Sequence, residues 1–197
     1  MTALASLKRL RKFAQSASKD FAEVDLAFPA VRELFASVGI PFLFAGGIAV
    51  FHHGYPRTTD TIDVLVDGPS LGRLKDEHVV AHGFRRLSRT RLQHVGSGVR
   101  VDLLISEDPI PRRDGVTYPA PAASASSPRD PDFLGLAPLL ELKLLGGRYQ
   151  DRADVVALLK RTDEAHYLPL EAAMPARLRP ELALLRRDAL EELAGES

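Results

Sequence analysis

Cysteine is absent from the sequence, and its absence removes disulfides, thiolate nucleophiles and zinc-thiolate sites together. A reducing cytoplasm suits such a chain and is the expected location. Net charge is absent as well. The 26 Lys and Arg balance the 26 Asp and Glu, so no global field draws the chain to nucleic acid or to a membrane, and a polyanion would have to meet a local patch. No apolar run approaches the ~20 residues needed to span a bilayer, and no internal repeat is found. The opening MTALASLKRLRKFAQSASK lacks the uncharged core of a signal peptide. Its Leu4, Leu7 and Leu10, at helical spacing among Lys8, Arg9, Arg11 and Lys12, predict an amphipathic helix over residues 1–20 with a solvated basic face.

What is present is enough for one core, because 197 residues fall in the usual range for a single domain. FPAVRELFASVG places Phe28, Val31, Leu34, Phe35 and Val38 on one helical face, with Gly39 as the stop. IPFLFA (40–45) reads as a short buried strand. Gly46 and Gly47 break it, and two turns of helix follow before Gly54 and Pro56. TIDVLV (61–66) alternates Ile62, Val64 and Val66 against Thr61, Asp63 and Leu65. SLGRLKDEHVVAHG (70–83) predicts one helix capped by Ser70. Three strands follow, FRRLSRT, RLQHV and VRVDLLIS, the last setting Val99, Val101, Leu103 and Ile105 opposite Arg100, Asp102 and Leu104. Residues 107–132, rich in Pro, Ser and Ala, predict a loop with GVTYP as a short edge strand. FLGLAPLLELKLLGG and QDRADVVALLKRT predict two helices, and at least one more lies beyond Pro180. The expected architecture is α/β (α+β): a mixed twisted sheet flanked by helices in a domain over residues 1–160, then a helical segment over 161–197.

Two aspartates stand centrally in apolar strands. Asp63 and Asp102 are each costly to bury unpaired; each wants a cation, an arginine partner or a wet strand end. Carboxylates on neighbouring strands are also how proteins hold the Mg2+ that neutralises a nucleoside triphosphate and orients its reacting oxygens.

Taken together, FAGGIAVFHHGYPRTTDTIDVLV, VRVDLLIS and LLELKLLGGRYQDRADVVALL resemble, over about residues 28–160, the nucleotidyltransferase superfamily with the DNA polymerase β-like fold. The likeness is strongest to its abortive-infection toxin-like (AbiEii-like) bacterial branch. The resemblance implies a Mg2+-dependent transfer of NMP from an NTP to an RNA or small-molecule acceptor, and an antitoxin-like protein partner. It places a nucleotide at Gly46 and Gly47, with Arg57 and Lys143 on phosphate, and makes Asp63 and Asp102 the metal-binding and catalytic acids. The glycines have a reason of their own, since backbone N–H groups without a Cβ approach a phosphate closely; an ordinary strand-to-helix turn explains them equally. The family's first acid falls on Thr61, which removes one negative unit from the site and leaves two readings: an active transferase, or a degenerate domain that binds nucleotide, RNA or protein without turnover. Asp60 would substitute for it only if a bulge turned it inward.

Other residues have plainer readings. His52 and His53 point about 100° apart on a helix, and His78 and His82 lack a third ligand. Arg85, Arg86, Arg89, Arg91 and Arg100 form the densest basic stretch, either an RNA-facing patch or a charged sheet face. Asp151 and Asp154 read as helix-capping and orienting residues.

Overall fold

The computed structural model describes residues 19–127 and 130–195. The amphipathic helix expected over residues 1–20 lies outside them, apart from its last two positions. Among the described residues are seven α-helices and one seven-stranded mixed sheet. None of these helices is long and apolar enough to cross a membrane.

Helix α1 (Lys19–Ser37) leads into β1 (Phe42–Phe44), α2 (Gly46–His52) and β2 (Thr61–Val66). Then come α3 (Asp76–Ala81), β3 (Phe84–Ser88), β4 (Arg91–His94) and β5 (Arg100–Ile105). After a long strap, β6 (Ala125–Ser127), β7 (Asp130–Leu134), α4 (Leu136–Gly146), α5 (Tyr149–Leu159), α6 (Glu164–Ala173) and α7 (Arg179–Gly195) complete the chain. The strand order is β3-β4-β5-β2-β1-β7-β6. Strand β2 runs parallel to β5 and antiparallel to β1, and β1 is parallel to β7.

The alternation seen in the sequence sorts the strands into two cores. Ile62, Val64, Val66, Val101, Leu103 and Ile105 face α1, whose Val24, Phe28, Val31, Leu34 and Phe35 recur at helical spacing and are fully or nearly fully buried. Leu65 and Leu104 face the other way, toward α4, α5 and the C-terminal helices. Tyr167, Met174, Leu182, Leu185 and Ala189 join that second cluster, so residues beyond 160 complete the core behind the sheet.

Two stretches depart from expectation. The helix expected over 70–83 is a 3-10 turn at Leu71–Arg73 followed by α3, because Gly72 interrupts the first turn and Leu74 leaves helical geometry to bury its side chain. The loop expected over 107–132 contains β6 and β7. Phe133 and Leu134 belong to β7 rather than to a helix, with Gly135 as the N-cap of α4. The helical segment expected over 161–197 contains α6, which Asp163 caps by accepting from His166 N–H at 2.9 Å. GVTYP contributes an isolated bridge, Pro109 to Thr117.

The aromatic layer fixes how α2 sits on the sheet. Phe28 stacks on Phe44 at 4.1 Å, and His52 stacks on Phe133 at 4.0 Å, 6° from parallel. Burial first, and then the neighbouring His53, lower the His52 pKa to about 4. His53 bonds to the Leu134 carbonyl at 2.8 Å. Both histidines are packing groups. His78 and His82 bond to their own helix backbone.

Candidate functional site

Parallel pairing of β2 with β5 is continuous over six residues, from Thr61 opposite Arg100 to Val66 opposite Ile105, and it sets Asp63 directly beside Asp102. Odd positions of β2 and even positions of β5 share a face. The two carboxylates therefore lie together on the sheet face that looks toward α4 and α5. They form the floor of a cavity of about 410 Å³, a size suited to a small-molecule ligand. Gly46 and Tyr118 border it, and Lys143 and Arg148 come from the helices.

Asp63 is the unsatisfied member. Among the described residues its carboxylate has no hydrogen bond and no ion pair, and its pKa is raised. Burial is the main cause and Asp102 the next, while Lys143, Arg148 and Arg57 pull the other way without reversing it. Asp102 is partly satisfied: Arg91 Nε donates to its Oδ1 at 2.8 Å, leaving Oδ2. Tyr118 carries a phenol whose pKa burial, and then the nearby Asp63, push up, so it faces the cavity as a neutral donor.

The glycine pair is required, but by the protein's own side chains. A Cβ on Gly46, whose φ is +53°, would overlap Asp63 Oδ2. A Cβ on Gly47 would stand 2.9 Å from Arg57 Nη2 and 2.9 Å from Thr59 Cβ. Gly46 borders the cavity and Gly47 does not, which corrects the expectation of a two-glycine phosphate cradle. A Gly46→Ala variant is expected to push the Asp63 carboxylate aside and to lower stability by about 1–3 kcal/mol. A thermal melt checks this; a melting temperature equal to that of the parent would show that the clash is relieved without cost.

Behind the cavity lies a buried ion cluster. Lys143 Nζ sits 3.0 Å from Asp151 Oδ1 and 2.7 Å from Asp154 Oδ2. Arg57 Nε is 2.9 Å from Asp154 Oδ1, and Gln150 donates to the same oxygen at 2.9 Å. Arg148 reaches Asp151 through Nε at 2.7 Å, while Asp151 also accepts the Arg148 backbone N–H at 3.3 Å as the N-terminal cap of α5. Burial opposes the charge on Asp151, but Arg148 and Lys143 outweigh it and hold its pKa below the ordinary carboxylate range. The segment from α4 to α5 permits this closeness through Gly146, where a Cβ would meet Asp151 Oδ2 at 2.6 Å, and Gly147, the left-handed cap of α4 at φ +65°.

Several expected site residues thus take other places. Arg57 does not line the cavity; it balances Asp154 behind Gly47. Lys143 lines it with its ammonium already shared by two aspartates. Thr61 begins β2 on the Asp63 face but lies outside the cavity wall. Asp60 is exposed on the bend before β2, and the unbroken register from Thr61 provides no bulge to turn it inward.

The five arginines do not share one surface. Arg85, Arg91 and Arg100 lie on the carboxylate face by register, whereas Arg86 pairs with Leu92 on the opposite face. Arg86 binds Asp76, Arg89 binds Asp108, Arg91 binds Asp102 and Arg85 bonds to Gln93.

Sequence reasoning missed the strap between β5 and β6, which brings Arg112 and Tyr118 to the cavity. The one signal was the turn-forming Ile110-Pro111-Arg112-Arg113.

Mg2+ makes few demands on protein, often one or two carboxylates with phosphate oxygens and water supplying the rest. Asp63, half-buried and unpartnered, together with Asp102 Oδ2 fits one such ion. No group of three or more His, Asp or Glu gathers at one point among the described residues. Compared with known proteins, the chain matches no family model and has no significant match to a curated protein.

Proposed function

We propose that this protein is a nucleotidyltransferase-like enzyme that binds an NTP with one Mg2+ at Asp63 and Asp102 and transfers NMP to the hydroxyl of an RNA or small-molecule acceptor. The observation that carries the reading is the in-register pair of Asp63 and Asp102 lining a cavity, with Asp63 in no ion pair among the described residues. Bound there, Mg2+ would supply charge neutralisation of the phosphates and orientation of the reacting oxygens.

The chain's own residues define the rest of the chemistry. Leu104, Leu139 and Leu142 give the cavity an apolar wall suited to a base. Arg148 borders the cavity and offers its N–H groups to phosphate from a guanidinium that Asp151 has oriented. The acceptor oxygen attacks the α-phosphorus, the bond to the bridging oxygen breaks, and pyrophosphate departs. Asp102 Oδ2, the oxygen that Arg91 leaves open, would hold the ion together with Asp63, and the hydroxyl proton passes to solvent water. Lys143 acts at one remove, by fixing Asp151 and Asp154 and through them the start of α5.

The test is incorporation of labelled NTP into bulk RNA or released small molecules in Mg2+. Transfer by the parent and a loss of about 100-fold or more in Asp102→Asn is the expected result, since removing one of two ion-holding carboxylates should exceed the ~10–100-fold cost of losing an outer-shell partner. A specific observation favours a second reading: Thr61 stands where an acid would complete the site and Arg91 already occupies Asp102 Oδ1. Mg2+-dependent NTP binding with no transfer to any acceptor would decide for that non-catalytic domain.

A further inference from the structure

Three cations line the cavity, and two of them already pair with acids. Lys143 is held by Asp151 and Asp154, and Arg148 by Asp151. Arg112 lines the same cavity with no acid and no hydrogen-bond acceptor among the described residues.

Its backbone is unusual too. Arg113 N–H bonds to the Ile110 carbonyl at 3.1 Å, closing a turn with Pro111 in second place and Arg112 in third. Arg112 has φ +63°. A turn with proline second and positive φ third normally carries Gly or Asn in third place, because a Cβ is disfavoured there. An arginine at that point works against local stability, and non-Gly residues in the left-handed region concentrate at functional sites.

The strap that presents Arg112 is firmly anchored. Arg113 Nε donates to the Leu145 carbonyl at 2.6 Å at the end of α4, Ile110 N–H bonds to the Val116 carbonyl at 2.8 Å, and Asp108 binds Arg89 at 2.5 Å. Arg113 thereby occupies a carbonyl that the helix end would otherwise leave to water. Arg112 is exposed at the edge of the cavity, on a braced turn, in the same lining as Asp63 and Asp102.

We infer that Arg112 is the residue that grips the polyphosphate of the bound nucleotide, taking the part assigned by resemblance to Arg57 and Lys143. The inference rests on the nucleotide reading above. A guanidinium presents paired N–H donors that match phosphate oxygens, and an unpartnered one gives up no existing bond to do so.

Inorganic tripolyphosphate with Mg2+ serves as the probe, since it needs no base recognition. By calorimetry at low salt, Arg112→Gly is expected to bind it at least about tenfold more weakly than the parent, roughly the loss of one charge-assisted contact. Its melting temperature is expected to stay unchanged or rise, because glycine relieves the positive φ. Arg112→Lys should keep part of the affinity, and binding of AMP should be little altered. Equal tripolyphosphate affinity in Arg112→Gly and the parent, with Asp63→Asn impaired, overturns the role of Arg112 and leaves the nucleotide reading standing. No binding by the parent overturns both.

Discussion

Asp63→Asn is expected to make the metal-free protein more stable and, on the nucleotide reading proposed above, to weaken Mg2+-dependent binding. Both effects come from one feature: the Asp63 carboxylate is desolvated beside Asp102, with no ion pair among the described residues. Its folded-state pKa is raised above the ordinary carboxylate value of 3.8, so the native state binds more protons than the unfolded chain across the window between the two. The stability contribution is therefore greatest below 3.8 and is lost as pH rises through the folded pKa. Asparagine does not titrate, so thermal melts in EDTA should show the variant gaining on the parent as pH rises from acid to neutral. Mg2+ should reverse the order, stabilising the parent and leaving the variant unmoved, because a metal ligand must be deprotonated and binding releases the proton. Nucleotide affinity in Mg2+ should fall about 100-fold or more, beyond the ~10–100-fold typical of losing an outer-shell partner. A variant less stable than the parent in EDTA at neutral pH would mean that Asp63 already has a cation.

The largest stability effect is expected at Lys143. Its ammonium stands between Asp151 and Asp154, whose side chains are 2% and 0% exposed. Lys143→Met keeps much of the stem's volume and removes the charge, leaving two aspartates buried with less compensation. Breaking a buried pair from one side costs about 3–5 kcal/mol. For a chain of this size ~1 kcal/mol corresponds to about 2–4 °C, so the melting temperature should fall by roughly 6–20 °C. Adding Asp154→Asn in the same chain should recover part of the loss, since it removes the charge left behind, although Arg57 then loses its partner. A fall smaller than ~1 kcal/mol would show the cluster to be wet.

The frame of the molecule was legible wherever one period ran unmixed. The alternation of TIDVLV and VRVDLLI identified β2 and β5 and the faces on which Asp63 and Asp102 project. The stripe from Phe28 to Phe35 identified most of α1, although its start at Lys19, ahead of the internal Pro29, was not expected. Where two elements meet in one apolar run the signal fails. In DFLGLAPLLELKLL, strand β7 and helix α4 abut across a single glycine, and nothing in composition separates them.

The site was legible in part for the same reason. Strand pairing put the acids side by side, and the period of each strand announced the face. Partners brought together by tertiary packing left no local trace. Nothing near Arg57 points to Asp154, nor near Arg91 to Asp102 except the register of β4 on β5, which a sequence alone does not fix. The glycine pair leaves a phosphate cradle and an ordinary turn equally open in the sequence, because a missing Cβ tells that something approaches without telling what does.

The most direct measurement is calorimetric titration of the parent protein with ATP, GTP, CTP and UTP, each in Mg2+ and again in EDTA. Asp63 and Asp102 joined through Mg2+ to a triphosphate require at least one of the four to bind about tenfold or more tightly with the ion than without it. Equal affinity in EDTA, or no binding of any of the four, would contradict the proposed role of the paired carboxylates.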